Sequence, residues 1–375
     1  MVSILGLIKN ELIKIIHRKK IWISIIVLMI ASIWVLGGSV NRIEEKKTSL
    51  EEIKNSTTIS EEARVSMVKD TERDIKQYEV SKESSMTELQ KLYSKELNRL
   101  EKQKKSSENI FVDEDINYIK YLSENNLRPK SAIDLDSNDI LQRAIMAFSI
   151  VSMLVVIIIS SDTISDEFNN GTIKVLITKP YKRVKIIISK FIASSIVCIG
   201  LVMLFQALIY IIGVAIKGYT TLSYPELIYP KYESSEVLNL QFNNYIAPIT
   251  GTGSIIPQWE LFLKSFLLQG IFIACMVAFC IMISALIKNN SFTSIIAILC
   301  TVGAVMTLFI QDIRFYSYLL FQNYYDILNT VKGIIPMRTG AYYVGYFAVI
   351  AILVIYIIGF IFISSRVLNK KNLYV

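Results

Sequence analysis

Six long apolar runs punctuate this chain, at 21–40, 144–160, 191–216, 261–286, 292–310 and 341–363. As helices they match the length needed to cross about 30 Å of hydrocarbon, so the pattern predicts six membrane-spanning helices. Ahead of the first, Ile4, Leu5, Ile8, Leu12, Ile15 and Ile16 recur at helical spacing. Lys9, Glu11, Lys14 and His17 fill much of the other side. This pattern predicts an amphipathic helix over 1–20 lying along a membrane surface. The run at 21–40 is too long for the core of a cleavable signal and is expected as a retained span, with Trp22 at its edge.

Between the first two runs the pattern changes. Residues 41–140 contain no stretch able to span a bilayer. Their sparse apolar positions, Val65, Val68, Ile75, Met86, Leu89, Tyr93, Leu97 and Leu100, are spaced by threes and fours. No Pro or Gly interrupts 41–128. Long helices in a hairpin or short coiled coil are expected there. Residues 217–260 hold four of the seven prolines and many tyrosines and read as an irregular outer loop. Residues 311–340 are semi-polar and read as short amphipathic helices dipping into the outer leaflet.

Charge fixes the expected orientation. The chain carries a formal net charge of +8, unevenly placed. Residues 41–140 have 18 basic and 22 acidic residues, whereas the remaining 275 carry a net +12. The basic excess sits beside apolar runs: Arg18, Lys19 and Lys20 before the first, Lys182, Lys185 and Lys190 before the third, Lys288 between the fourth and fifth, Arg366, Lys370 and Lys371 after the sixth. The positive-inside bias then puts both termini in the cytoplasm and 41–140 outside. Arg18, Lys19, Lys20, Lys182, Lys185 and Lys190 are candidates for anchoring at the membrane surface. Such placement explains the basic total better than a nucleic-acid partner, and none is expected. The fold class expected is an all-α polytopic membrane protein. It has six transmembrane helices, an N-terminal amphipathic surface helix and a helical extracytoplasmic domain over 41–140. Spans two to six occupy 141–365, and 366–375 form a cytoplasmic tail.

The chemistry is sparse. No GxxxxGK[ST] phosphate loop, HExxH or GxSxG motif occurs, and His17 is the single histidine. Cys198, Cys275, Cys280 and Cys300 all fall inside apolar runs, where packing is their expected use. The apolar centres hold no Asp or Glu; Gln206 and the Ser194-Ser195 pair are expected to serve helix packing. No metal site, cofactor or enzyme activity is expected in this chain, so energy must reach it through a cytoplasmic contact.

The segment 161–190, SDTISDEFNNGTIKVLITKPYKRVKIIISK, lies between the second and third runs and is the candidate contact. It has an acidic start, a Gly-Thr pair, an apolar ridge, a Pro and a basic end. Glu167, Phe168, Asn169, Asn170, Gly171 and Thr172, followed by Leu176, Pro180, Arg183 and Lys190, resemble the signature of ABC-2 type transporter permeases. These are membrane subunits of ATP-binding-cassette exporters, and their pattern is roughly E-[FY]-x-x-G-T-x-x-x-L-L-x-x-P-x-x-R. The sequence departs from it at Ile177, a mild apolar change, and in the large insertion between the first two spans.

The resemblance implies a permease in a bacterial cell membrane, paired with a second permease subunit and with ABC ATPase subunits that hold ATP and Mg. Coupling to the ATPase is expected within 162–185, through Asp166, Glu167, Phe168, Gly171, Thr172, Leu176, Pro180 and Arg183. The cargo class expected is an amphipathic or hydrophobic molecule, such as a peptide, lipid or drug, with antimicrobial-peptide resistance as one setting. An accessory protein is an expected partner of 41–140. The alternative from another class is a non-transporting membrane sensor or scaffold whose outer helical domain binds a ligand.

Overall fold

Each apolar run forms a helix because its backbone has no other hydrogen-bond partner in hydrocarbon. A computed structural model describes residues 4–40, 42–55, 61, 63–65, 67–69, 71–72, 75, 85–106, 111–130, 134–172, 183–239, 244–287, 289–310 and 316–370. The chain opens with α1 (Ile4–Ile16), then α2 (Lys19–Val40) and α3 (Arg42–Asn55). After these come α4 (Met86–Ser106), α5 (Val112–Glu124), α6 (Ser137–Ser160), the short α7 (Ser165–Asn169) and α8 (Arg183–Lys217). Four strands follow: β1 (Pro225–Ile228), β2 (Tyr232–Asn239), β3 (Asn244–Pro248) and β4 (Ser254–Pro257). The remainder is α9 (Gln258–Leu286), α10 (Asn290–Met306), short helices including α11 (Ile327–Val331) and α12 (Ile335–Thr339), and α13 (Tyr346–Lys370).

Six helical segments among the described residues are long and apolar enough to cross a membrane, those containing α2, α6, α8, α9, α10 and α13. The chain is an all-α polytopic membrane protein apart from its small sheets. α6 and α9 form the centre: about two thirds of each span is buried, against 17–28% for the other four. α6 packs on α2, α8 and α9, while α9 packs on α8, α10 and α13. Apolar burial gives little drive between helices in lipid, so close packing and internal polar contacts must hold them. Gln206 of α8 accordingly donates to Gln269 Oε1 of α9 at 3.0 Å. Ser149 and Ser364 return their hydroxyls to carbonyls four residues back in their own helices.

Helix ends differ from the sequence expectation for physical reasons. α6 begins at 137 rather than 144, because Asp136 and Asp139 form a reciprocal capping box there. α8 begins at 183, eight residues ahead of its apolar run, and carries Arg183, Lys185 and Lys190 on helical turns. α13 runs over 346–370, five residues behind the start of its apolar run and seven past the end.

The larger departure is at 217–260. Instead of irregular loop, β1 pairs antiparallel with β4, and β2 pairs with β3. This small sheet layer and the short helices before α13 cap one end of the bundle. A buried polar network ties the cap on. Glu226 of β1 accepts from Lys332 at 3.0 Å, Gln258 at 2.8 Å and Gln142 at 2.6 Å. Asn138 donates to Gln258 at 2.9 Å. Burial would raise the Glu226 pKa, but Lys332 and the two amides outweigh it and hold it below the ordinary value.

α4 and α5 form a hairpin packed on this cap. Leu89 and Tyr93 meet Leu122, and Leu100 meets Val112 and Ile116. Val65 and Met86 are exposed instead. Tyr118 donates to the Pro225 carbonyl at 3.0 Å and Tyr224 to the Arg128 carbonyl at 2.9 Å, joining hairpin to cap.

Candidate functional site

At the end of the bundle opposite the cap, α6 leads through a turn into α7. The turn is anchored from above: Ser284 Oγ of α9 accepts the backbone N–H groups of Ile164 and Ser165, both at 2.9 Å. Ser161 pairs with Ser294 of α10 at 2.8 Å. Asp162, Thr163, Ser165 and Glu167 are all buried. The first half of the segment singled out by sequence is therefore part of the packed bundle.

α1 and the start of α2 lie across this segment and are bound to it by two balanced charge groups, the first from α1 and the second from Arg18 and Lys20. In the first, Lys190 Nζ of α8 sits 2.6 Å from Glu167 Oε1 and 2.8 Å from Glu11 Oε2. Lys14 adds contacts of 3.1 Å to Glu11 and 3.4 Å to Glu167. Two ammonium groups face two carboxylates. Lys190 is 1% exposed, so it cannot reach lipid headgroups; the expectation that it anchors at the membrane surface is corrected by its burial between two carboxylates.

The second group continues along the chain. Arg18 reaches Asp162 at 3.4 Å and Asp166 at 3.1 Å, and Lys20 reaches Asp162 at 2.6 Å. Asn290, at the start of α10, donates to the other oxygen of Asp166 at 2.9 Å. Arg18 and Lys20, expected as surface anchors, thus spend their charge on the α6–α7 turn. Lys19 between them is exposed, and Lys185 is half-buried.

Outside the spans, two groups show the field of the first cluster. Burial would raise the Glu11 pKa, but Lys190 and then Lys14 more than offset it and leave it lowered. Burial would lower Lys14, but Glu11 and Glu167 outweigh it and leave it raised. Both shifts favour the charged forms, which is the condition for a buried ion cluster to hold.

The remaining expected residues divide clearly. Asp166 and Glu167 are held inside the cluster, and Phe168 packs half-buried against the hydrophobic core. Asn169, Asn170, Gly171 and Thr172 are exposed. Gly171 has φ +67 with open space where a side chain would stand, so it serves the left-handed exit from α7. Thr172 Oγ1 donates to the Glu167 carbonyl at 3.4 Å. Leu176, Pro180 and Lys182 lie outside the described residues. Arg183 turns away from α7 and donates to the Leu368 and Asn369 carbonyls at 2.6 and 3.0 Å, closing the end of α13.

Glu11, Asp162 and Asn290 are functional candidates that sequence reasoning missed. For Glu11 a signal existed: 4, 8, 11 and 15 fall on one helical face, so Glu11 lies among the apolar positions rather than opposite them, and it is buried with Ile15. A family model described as ABC-2 family transporter protein matches residues 5–373. No curated protein matches the chain.

Proposed function

The chain belongs to the ABC-2 family of transporter proteins and is a multi-pass permease of an ABC transporter, and from this premise we propose that it exports an amphipathic or hydrophobic cargo, driven by ATP hydrolysed on a separate subunit. The α6–α7 turn is the point of coupling, and its end of the bundle faces the cytoplasm. The exposed run 169–172 meets the ATPase. Asp162, Asp166 and Glu167 pass displacement inward.

One observation carries this reading. The same short turn is bonded at once to α1, the start of α2, α8, α9 and α10. A push on α7 therefore moves several spans together rather than bending a loop. A permease of this kind works with a second permease subunit across the bilayer, and the α4–α5 hairpin stands outside, where an accessory protein can meet it. Family membership favours this reading over the non-transporting sensor.

Two variants test it. Asn170→Arg, on the exposed run, is expected to reduce co-purification of the ATPase. Glu167→Gln, inside the cluster, is expected to leave co-purification intact and to lower transport-stimulated ATP hydrolysis. If both variants keep wild-type binding and hydrolysis, the turn is not the coupling element.

A further inference from the structure

Glu114 lies in the first turn of α5 and is 2% exposed. One carboxylate oxygen accepts the Gly251 backbone N–H at 3.2 Å. The other, Oε2, is buried with no partner among the described residues. A buried carboxylate oxygen without a partner is unfavourable and needs a physical reason. The Tyr232 hydroxyl is also buried without a partner among the described residues. Burial pushes Tyr232 up, and Tyr229 and then Glu114 add to it, which places the tyrosine within the field of this carboxylate.

Glu114 lines a cavity of about 190 Å³ between α5 and the β1–β4 pair, together with Asn117, Leu227, Gly253 and Ile255. The backbone is brought close on purpose: a Cβ at Gly253 would stand 2.9 Å from Glu114 Cγ and 3.1 Å from the Ile228 carbonyl. Hence the sheet needs glycine there to let the carboxylate into the junction.

We propose that this cavity is a binding site for an alkylammonium group. A turn of the Glu114 carboxylate presents Oε2 to the ammonium N–H, and Leu227 and Ile255, on the cavity wall, contact the methylene stem. A metal ion fits the site poorly. Hard cations such as Ca²⁺ take six to eight oxygens, and no group of three or more Asp, Glu, His or Cys that could hold a metal occurs among the described residues. A single carboxylate flanked by aliphatic walls suits a cation that carries its own apolar tail. The amine can come from a free alkylamine or from a lysine side chain of a peptide. The site is independent of the coupling assignment, since it lies on the cap and hairpin.

The test is isothermal titration calorimetry on the full chain in lipid nanodiscs. n-Butylammonium, the tripeptide Gly-Lys-Gly and Ca²⁺ are titrated in turn. Saturable n-butylammonium binding is expected. In Glu114→Gln, which keeps the acceptor for Gly251, affinity should fall at least tenfold. Ile255→Phe, which fills the cavity and leaves Glu114 in place, should do the same and guards against a misfolded charge variant. Binding of n-butylammonium alone assigns the site to free amines; binding of the tripeptide as well assigns it to lysine side chains. No saturable amine binding, equal affinity in the two variants and wild type, or Ca²⁺ binding that depends on Glu114 without amine binding, overturns the proposal.

Discussion

Lys190 is the residue on which the charged end of the bundle depends. Removing it leaves Glu11 and Glu167 facing each other without their nearest cation, and breaking a buried ion group in this way costs about 3–5 kcal/mol. Lys190→Met should lower the thermal midpoint of the purified chain accordingly. Adding Glu11→Gln and Glu167→Gln should restore much of it, because the uncompensated charge is then gone. Lys14 is 41% exposed in its side chain, so solvent screens its share, and Lys14→Met should cost no more than about 1 kcal/mol. Gly171 makes a different contribution. Its φ of +67 strains any L residue, yet nothing crowds the site; Gly171→Ala should cost about 1–2 kcal/mol through the backbone alone. At this scale the sequence was readable for residue type and blind to partner. Glu167 stood out by its motif, but its partners lie 153 and 23 positions away, and no local pattern names them.

Among the elements, α1 has an attachment that titrates at both ends of the pH range. The lowered pKa of Glu11 means its stabilisation is present above its ordinary value of 4.5 and is lost as pH falls through the lower folded value. The raised pKa of Lys14 means its stabilisation is present below 10.5 and is lost as pH rises through the higher folded value. Hydrogen exchange corrected for intrinsic rates should show α1 amides protected between these limits and released in acid below 4.5. Glu11→Gln should remove that acid transition. The hairpin α4–α5 has its own small core at Leu89, Tyr93 and Leu122. Leu122→Ala should cost about 2–5 kcal/mol there, visible as faster exchange in α4 and α5 while the spans keep their protection. The amphipathic spacing at 86–100 announced α4, whereas the sheets were hidden. β1 and β4 are only four residues each, and their paired residues stand 26 to 32 positions apart, from Ile228↔Ser254 to Pro225↔Pro257. Of the prolines that punctuate 217–260, Pro225, Pro248 and Pro257 sit at strand ends and Pro230 in the connection between β1 and β2, so the region reads as loop.

For the whole molecule, hydropathy was sufficient to place six spans, since each apolar run must satisfy its backbone internally. What it could not supply was the unequal burial of the spans, because lipid and protein interiors are equally apolar and only packing distinguishes them. The proposed orientation is checked by labelling intact cells with an impermeant maleimide. A cysteine at the exposed Ser94 should react from outside, and one at the exposed Asn170 only after the cells are opened. Reaction of both from outside would reverse the bundle.

The Glu11–Lys190 contact joins positions 179 residues apart. A ribosome delivers Glu11 to the bilayer long before Lys190 has been made, so the leading helix lacks its buried cation, and is held only by its weaker contacts, while two hydrophobic segments are threaded ahead of that partner. A nascent chain arrested before residue 183 should therefore be cut within its first sixteen residues by added protease, and one extended beyond α8 should resist. The vulnerable interval in this protein's synthesis is set by the distance between those two charges.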